Sequence, residues 1–436
     1  MSAAPSIDEI QSAPVDERAA ARLAEGGYEL RLVDPADRDA LVRYVQAETR
    51  GFHGTVMPPR SLDAYIAEFA ASRRMTAVYD PQGADPLTPV ATSNSWVGPL
   101  TLPGEREIPG WAISGVTTAQ THRRRGIQRQ IMEAELRTAH RLGVPIAMLT
   151  VSESSIYGRY GFGVAALGAG YRIDTRALRW TGPEAPGRLD FIPVARWREL
   201  APELFERVRL RDPGQVRPFA LRFDQIAGTE SPEGDKSGER LAVQYRDEAG
   251  EVQGLAIYKI VNDPQEFTNH RVEVLNVIAA TDDAYAGIWR FFVEMDLVGA
   301  VTDDLAAVDE PLRWMVSDFR AVEVKPFDMQ YLRVLDVEAV LGARGYDGAE
   351  DLTLEVVDDL DIASGAWTVG PGGVRPSDGR SADAVLGVGA LSAAVVGTVA
   401  ALTHGVPGVV ERRPGALARA ARLFSADRTP FLSTWY

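Results

Sequence analysis

The sequence predicts an α/β fold of mixed α+β character, laid out as three consecutive domains over residues 1–180, 181–320 and 321–436. Three observations predict it. From Tyr28 to about Arg179, strand-like stretches alternate with helix-like ones. After a Pro/Gly-rich connector, Arg179 to Leu189, the pattern restarts, and near Ala321 it restarts again. A chain of 436 residues accommodates such an arrangement at ~100–200 residues per domain.

The opening stretch, "MSAAPSIDEIQSAPVDERAAARLAEGG", lacks a basic segment followed by an apolar run. It is therefore not a signal peptide and reads as a mobile, Ala-rich polar leader. "YELRLV" and "RMTAVYD" are strand-like, and "PADRDALVRYVQAETRGF" is an amphipathic helix. "GWAISGVTT", Gly110 to Thr118, is a β-rich run that leads straight into "THRRRG". Beyond it, Ile127, Ile131, Ala134, Thr138 and Leu142 recur at helical spacing, and Gly143 supplies a stop. "VPIAMLTVS" is nearly continuously apolar, as a buried central strand must be.

In the middle third, "ERLAVQYRD", "EVQGLAIYKIV" and "HRVEVLNVIAAT" are strand-like, and "DAYAGIWRFFVEMDLV" is an apolar helix. This is either a diverged repeat of the first third or an independent use of the same pattern. At the equivalent turn it carries Asp282 and Asp283, which suit a helix N-terminus but would repel a phosphate. The last third holds "DMQYLRVLDVEAVLGARGY", the alternating strand "LTLEV", then "GAWTV". The 21-residue run "ADAVLGVGALSAAVVGTVAAL" has nearly the length of a membrane span. Asp383 and the glycines Gly387, Gly389 and Gly397 favour a strand plus a buried helix instead. "PGALARAARLFSADRTPFLSTWY" closes the chain as a helix, with Pro414 near its start, and an apolar tail.

Composition narrows the function. Hydrophobic residues at 45% and charged residues at 25% give ample material for a core. The net charge of −15 speaks against nucleic-acid binding, because an acidic surface repels a phosphate backbone. It leaves room for one local basic pocket. The absence of cysteine excludes disulfides, thiolate metal sites and cysteine nucleophiles. His53, His122, His140, His270 and His404 are scattered without ligand spacing, so no metal site is expected. No stretch is a convincing membrane span, and the chain reads as cytoplasmic.

The basic pocket has an evident candidate. Arg123, Arg124 and Arg125 stand before Gly126 at the junction of a strand and a helix. First-turn amides of a helix lack intrahelical partners and carry partial positive charge, so they bind anions. Glycine lets an oxyanion approach, and the arginines neutralise it. Taken alone, the triplet has the alternative reading of an exposed basic patch on an ordinary helix. Neither the Walker pattern nor G-x-G-x-x-G occurs here, so nucleoside triphosphates and NAD are poor candidates.

A second motif follows the next strand. "SSIYGRYGFG" contains Y-x-x-x-G-F at Tyr157, Gly161 and Phe162, with Tyr157 lying 31 positions after Gly126. Together with R-x-x-G-x at Arg123 to Ile127, this resembles the GNAT superfamily of N-acetyltransferases. Gln128 departs from the usual small residue that closes the first motif and points to a subgroup. "THRRRG" with "IYGRYGFG" resembles the enhanced intracellular survival (Eis) family, and the likeness covers almost the whole chain. It implies two tandem acetyltransferase-like domains, the second lacking the cofactor motif, followed by a sterol-carrier-like domain.

The resemblance also implies roles. Val116, Thr117 and Thr118 would offer backbone groups to the pantetheine arm of acetyl-CoA, the acetyl donor. Arg123, Arg124, Arg125, Gly126, Ile127, Gln128 and Arg129 would surround its pyrophosphate, with Ser152 and Glu153 completing the cleft. Tyr157 would be the general acid for the departing thiolate, as a phenol of ordinary pKa ~10 is protonated at neutral pH. The α-carboxylate of Tyr436 would be the general base. A free carboxylate, of pKa ~3.5, needs the apolar setting that Phe431, Leu432 and Trp435 could supply; the alternative is an ordinary packed C-terminus. Cationic amines such as aminoglycosides, polyamines or lysine side chains suit the negative charge as acceptors, and Glu48, Phe52 and His53 are candidates to line that side. Family members are hexamers. The competing class is a non-enzymatic lipid or acyl-CoA carrier that uses the last domain.

Overall fold

The computed structural model describes residues 4–230, 234–346, 350–377 and 381–436. These fall into two compact units. The first comprises residues up to 166, Met329–Pro430 and Tyr436; the second comprises Leu167–Asp328 and Phe431–Trp435.

The first unit opens with two helices, α1 (Ile7–Ser12) and α2 (Glu17–Glu25), where the sequence suggested a mobile leader. The reason is local. Ser6 and Glu9 form a reciprocal capping box, Asp16 caps α2 through the Ala19 amide, and Ile10, Ala19 and Leu23 are buried. Then come β1 (Glu29–Leu32), α3 (Arg38–Gly51), α4 (Pro59–Ser72), β2 (Arg74–Tyr79), β3 (Ala91–Leu102), β4 (Arg106–Thr118), α5 (Ile127–Arg141), β5 (Ile146–Thr150) and the start of β6 (Gly163–Asp174).

In the second unit lie the rest of β6, then β7 (Arg188–Ile192), α6 (Val194–Arg209), α7 (Arg222–Ala227), β8 (Leu241–Arg246), β9 (Val252–Val261), β10 (His270–Ala279), α8 (Asp282–Val293), β11 (Val298–Ala306) and the first part of β12 (Val322–Val334). Its strands run in the order β6-β11-β10-β9-β8-β7, around a core of Tyr258, Ile288, Trp289 and Phe292. Thr281 caps α8 through the Ala284 amide, with Asp282 and Asp283 in its first turn. Helix α6 has no counterpart in the sequence pattern. Pro202 lies inside it without breaking it, and Trp197, Ala201, Leu204 and Phe205 are buried at helical spacing.

The end of β12 belongs to the first unit, with α9 (Val337–Ala343), β13 (Leu352–Val357), β14 (Gly365–Gly370), β15 (Gly373–Pro376), β16 (Ala384–Gly387), α10 (Val388–Ala394), β17 (Val409–Glu411) and α11 (Ala416–Phe424). The run from Ala382 is thus a short strand followed by a buried helix. Among the described residues, no helix is long and apolar enough to cross a membrane. The first unit holds β1-β2-β3-β4-β5-β12 in one sheet and β15-β14-β13-β16-β17 in another.

Two features of the first unit position the site. Strands β4 and β5 are parallel, but they pair only over Gly110–Ala112 and Ile146–Met148. Beyond that they separate, while β4 continues to pair β3 out to Thr118 across an irregularity near Asn94. Helix α5 is buried on two sides. Ile127, Ile131 and Ala134 pack with Leu23 and Leu30, whereas Met132, Leu136 and Ala139 pack with Trp111 and Leu149. Between these faces sits Glu135, 1% exposed, accepting from Trp111 Nε1 at 3.1 Å and Thr76 Oγ1 at 3.0 Å, with Arg74 Nη1 at 3.4 Å. A buried carboxylate needs such partners, and these anchor the helix to β2 and β4.

Candidate active site

The parting of β4 from β5 leaves the β5-facing edge of Ile113–Thr118 without a strand partner, so its main-chain groups are available to a ligand. Thr117 turns its hydroxyl to Thr92 at 2.7 Å, and α3 lies so close that a Cβ on Gly51 would sit 2.4 Å from Thr117 Cβ. Val116 and Thr118 are half-buried. Thr118 Oγ1 donates to Gln128 Oε1 at 3.0 Å, which joins the strand end to the first turn of α5.

Gly126 caps α5 in the left-handed region, at φ 76°, with open space where a Cβ would project. No side chain caps the helix, so its first-turn amides find no partner within it. Arg124 also has positive φ, 63°, a conformation uncommon outside glycine. Arg123, Arg124 and Arg125 are exposed. Their side chains are not equivalent: Arg125 donates to Tyr28 Oη at 2.6 Å, and Arg129 turns back along the helix to Glu133 at 2.8 Å. Gln128 Nε2 is buried without a hydrogen-bond partner. An orphaned donor, free helix-end amides and open space at Gly126 together fit a phosphate-bearing ligand.

Beyond β5, Ser152 and Glu153 are exposed, and the chain turns into a short 3-10 segment, Tyr157–Tyr160. Tyr157 is 6% exposed, with Phe162 and Tyr331 ring centroids at 6.0 and 6.3 Å. Burial, then the neighbouring Tyr160 and Glu153, pushes its phenol up to about 12. Tyr160 packs in the same core, whereas Tyr171, in the second unit, donates to Ala307 O at 2.8 Å.

The last residue reaches the same strand. Thr150 Oγ1, at the end of β5, donates to the main-chain oxygen of Tyr436 at 2.8 Å. The Tyr436 ring meets Trp96 edge-on at 5.4 Å, and the Arg73 guanidinium lies 3.3 Å from the Trp96 centroid. Thr150, Trp96 and Arg73 have no motif in the sequence. Each acquires its place only through burial and long-range packing.

Between α3 and α4 a cavity of about 200 Å³ is walled by Val45, Phe52, Met57, Tyr65 and Phe69, with Glu48 as its carboxylate. Burial raises Glu48 to about 7, against the opposing influence of Arg73 and of the hydrogen bond from Asn94. Glu48 Oε1 lies 2.7 Å from where a Cβ on Gly115 would be, which places it beside β4. His53, between the cavity-lining Phe52 and Gly54, is itself exposed and has its Nε2 3.5 Å from Gln120 Nε2.

Comparison with known proteins identifies the domains. Residues 33–165 match a family profile described as an acetyltransferase (GNAT) domain, residues 220–334 match a second such profile, and residues 337–433 match a sterol carrier protein domain. An uncharacterised N-acetyltransferase of Streptomyces avermitilis is 34% identical over 363 residues, spanning 78% of this chain and 84% of the relative. The N-acetyltransferase Eis of Mycobacterium tuberculosis is 31% identical over 271 residues, 59% of this chain and 64% of that protein. The crystal structure of Eis1 from Mycobacterium abscessus matches with a TM-score of 0.78 at 26% identity, covering 94% of this chain and 100% of that one.

Two GNAT domains and a sterol carrier domain define an N-acetyltransferase that takes acetyl-CoA as its acetyl donor. It is thus an enzyme and not the non-enzymatic carrier of the competing class. Within that class, the chain belongs to the Eis-like family of GNAT enzymes.

Proposed function

We propose that this enzyme moves an acetyl group from acetyl-CoA directly to primary amines of cationic acceptors: aminoglycosides, polyamines or lysine side chains. The observation that carries the reading is the hydrogen bond from Thr150 to the Tyr436 main-chain oxygen, on the strand that leads to Tyr157. It supports a proton acceptor and a proton donor on one strand end.

In this reading Val116, Thr117 and Thr118 hold the pantetheine arm through main-chain groups. Arg123, Arg124, Arg125, Gly126, Ile127, Gln128 and Arg129 hold the pyrophosphate, and Ser152 and Glu153 border the cleft. When bound, acetyl-CoA supplies an activated thioester. The Tyr436 α-carboxylate takes a proton from the attacking amine nitrogen, and the Tyr157 hydroxyl gives its proton to the leaving sulfur. Direct transfer needs no nucleophilic residue. The net charge of −15 draws cations toward the protein and supports a cationic acceptor. Glu48 and Phe52, in the cavity beside β4, are the proposed acceptor side.

The domain boundaries at 180 and 320, drawn at the Pro/Gly-rich connector and the restart near Ala321, belong to the same proposal, as do a cytoplasmic location and, on family grounds, a homohexamer. The test is release of CoA thiol from acetyl-CoA over a panel of polyamines, aminoglycosides and lysine peptides. Turnover with these but not with neutral amines is expected. Turnover restricted to uncharged or aromatic amines would overturn the acceptor assignment.

A further inference from the structure

The turn that carries Tyr157 is held from outside its own domain. Arg333, near the end of β12, is fully buried and donates from Nε to Tyr160 O at 3.0 Å and from Nη1 to Val334 O. Its Nη2 meets both oxygens of Asp358 at 2.7 Å. Asp358 opens the loop between β13 and β14, in the sterol-carrier-like region. It also accepts from the amides of Leu360 at 3.1 Å, Ile362 at 2.8 Å and Ala363 at 2.9 Å. Burial works to raise this carboxyl, but the Arg333 guanidinium and those amides hold it below the usual carboxylate range. Leu360 and Ile362 themselves pack on the core that contains Tyr157, Tyr160 and Phe162.

A second hold comes from α10. Gly161, at φ 82°, is so closely covered that a Cβ there would lie 2.7 Å from Val388 Cγ1 and 2.8 Å from Arg333 Nε. A Cβ on Gly163 would lie 1.9 Å from Gly389 O. Ser392 Oγ accepts from the Val334 amide at 2.9 Å and donates to Val388 O at 2.6 Å, which ties α10 to β12 beside Arg333. The turn is thus gripped at Tyr160, Gly161 and Gly163 by groups more than 160 positions away in sequence.

We infer that Arg333, Asp358 and the Gly389 face of α10 form a clamp that positions the Tyr157 hydroxyl, making the sterol-carrier-like domain part of the catalytic scaffold. The inference rests on Tyr157 being the general acid. The chemistry demands it: a proton donor must lie within hydrogen-bond reach of the leaving atom, and a misplacement of about 1 Å can cost ~100-fold in rate. Tyr157 is carried on a single short turn, and Arg333 is the buried cation that fixes a carbonyl within that turn. Arg333 and Asp358 are positioning residues and touch no substrate.

The test is kcat and acetyl-CoA Kd for Asp358→Asn, in the wild-type and in the Tyr157→Phe background. Asp358→Asn should lower kcat about tenfold or more and leave Kd within about twofold, whereas in Tyr157→Phe it should lower kcat no further, because coupled residues are non-additive. An equal loss in both backgrounds, or none in either, would sink the clamp and leave the general acid in place. Wild-type kcat in Tyr157→Phe alone would instead remove the general acid, and the clamp with it. Should Asp358→Asn fail to fold, Gly389→Ala serves: its added Cβ would sit 3.2 Å from Phe162 O, a small push on the turn. The same pattern is expected, a several-fold loss of kcat at unchanged Kd that vanishes in the Tyr157→Phe background; a change in Kd with unchanged kcat would overturn the proposal.

Discussion

Thr150 Oγ1 donates a 2.8 Å hydrogen bond to the main-chain oxygen of Tyr436, across 286 positions of sequence. Thr150 is the last residue of β5, so the bond pins Tyr436 to the strand end from which the chain proceeds to Tyr157. Thr150→Val removes that donor at nearly constant volume. A hydrogen bond to a charged group contributes about 1.5–3 kcal/mol, so kcat should fall at least tenfold with acetyl-CoA Kd unchanged. Adding one residue after Tyr436 should abolish turnover and spare acetyl-CoA binding. Full activity in a C-terminally extended protein would remove Tyr436 as the base.

Tyr157→Phe should lose ~10²–10⁴ in kcat with little change in acetyl-CoA Kd, the usual range for a missing general acid. The phenol acts as an acid only while protonated. Because burial pushes its pKa up to about 12, the active form persists well into alkaline solution. The kcat profile from about pH 7 to about pH 10 should therefore carry no limb that Tyr157→Phe abolishes. A fall centred near pH 9 that disappears in the variant would contradict the burial of Tyr157.

Gly126→Ala meets no steric obstacle from its surroundings, only the backbone cost of φ 76°. That cost is about 1–2 kcal/mol, and relieving it would rotate the first-turn amides of α5 away from an anion. Acetyl-CoA Kd should rise about tenfold, while the urea midpoint shifts only slightly. Isothermal titration with acetyl-CoA, alongside urea unfolding, separates the two effects.

Glu48 holds a proton in the folded chain that the unfolded chain releases, because its pKa is raised from 4.5 to about 7. Its contribution is thus most favourable at low pH, declines between 4.5 and about 7, and stays unfavourable above. Glu48→Gln, beside Arg73 and Asn94, should remove this dependence. At about pH 8 the variant should be more stable by on the order of 2 kcal/mol, allowing for partial solvent screening. Asp303 in the second unit is also raised to about 7 and remains in both proteins. The wild-type-minus-variant difference, read by urea unfolding between about pH 5 and pH 8, isolates Glu48. Parallel curves would refute its burial.

Much of the site was legible before the fold, because it is made of short-range chemistry. Arg123 to Gly126 require only a strand, a turn and a helix in succession, and the Y-x-x-x-G-F turn follows on the next strand. The strand-then-helix reading of the run from Ala382 holds for the same reason: glycines and a charged residue interrupt a span locally. The opening helices were missed although their capping residues are present, since a polar, Ala-rich stretch becomes ordered only when Ile10, Ala19 and Leu23 have a core to enter.

What the sequence by itself determined is the class of fold and the anion-ready turn with its tyrosine, because backbone conformation and hydrophobic period depend on neighbours a few positions apart. The tertiary structure alone decided which charges are buried and what they hold. Glu135 looks like a surface residue of α5 and proves to be its anchor to Trp111 and Thr76. Arg333 and Asp358 lie in no motif, yet Arg333, paired with Asp358, holds Tyr160 across 173 positions. Thr150 and Tyr436 meet only when the chain closes on itself. Burial and pairing of polar groups are properties of the packed whole, since the cost of desolvating a charge depends on every segment that surrounds it.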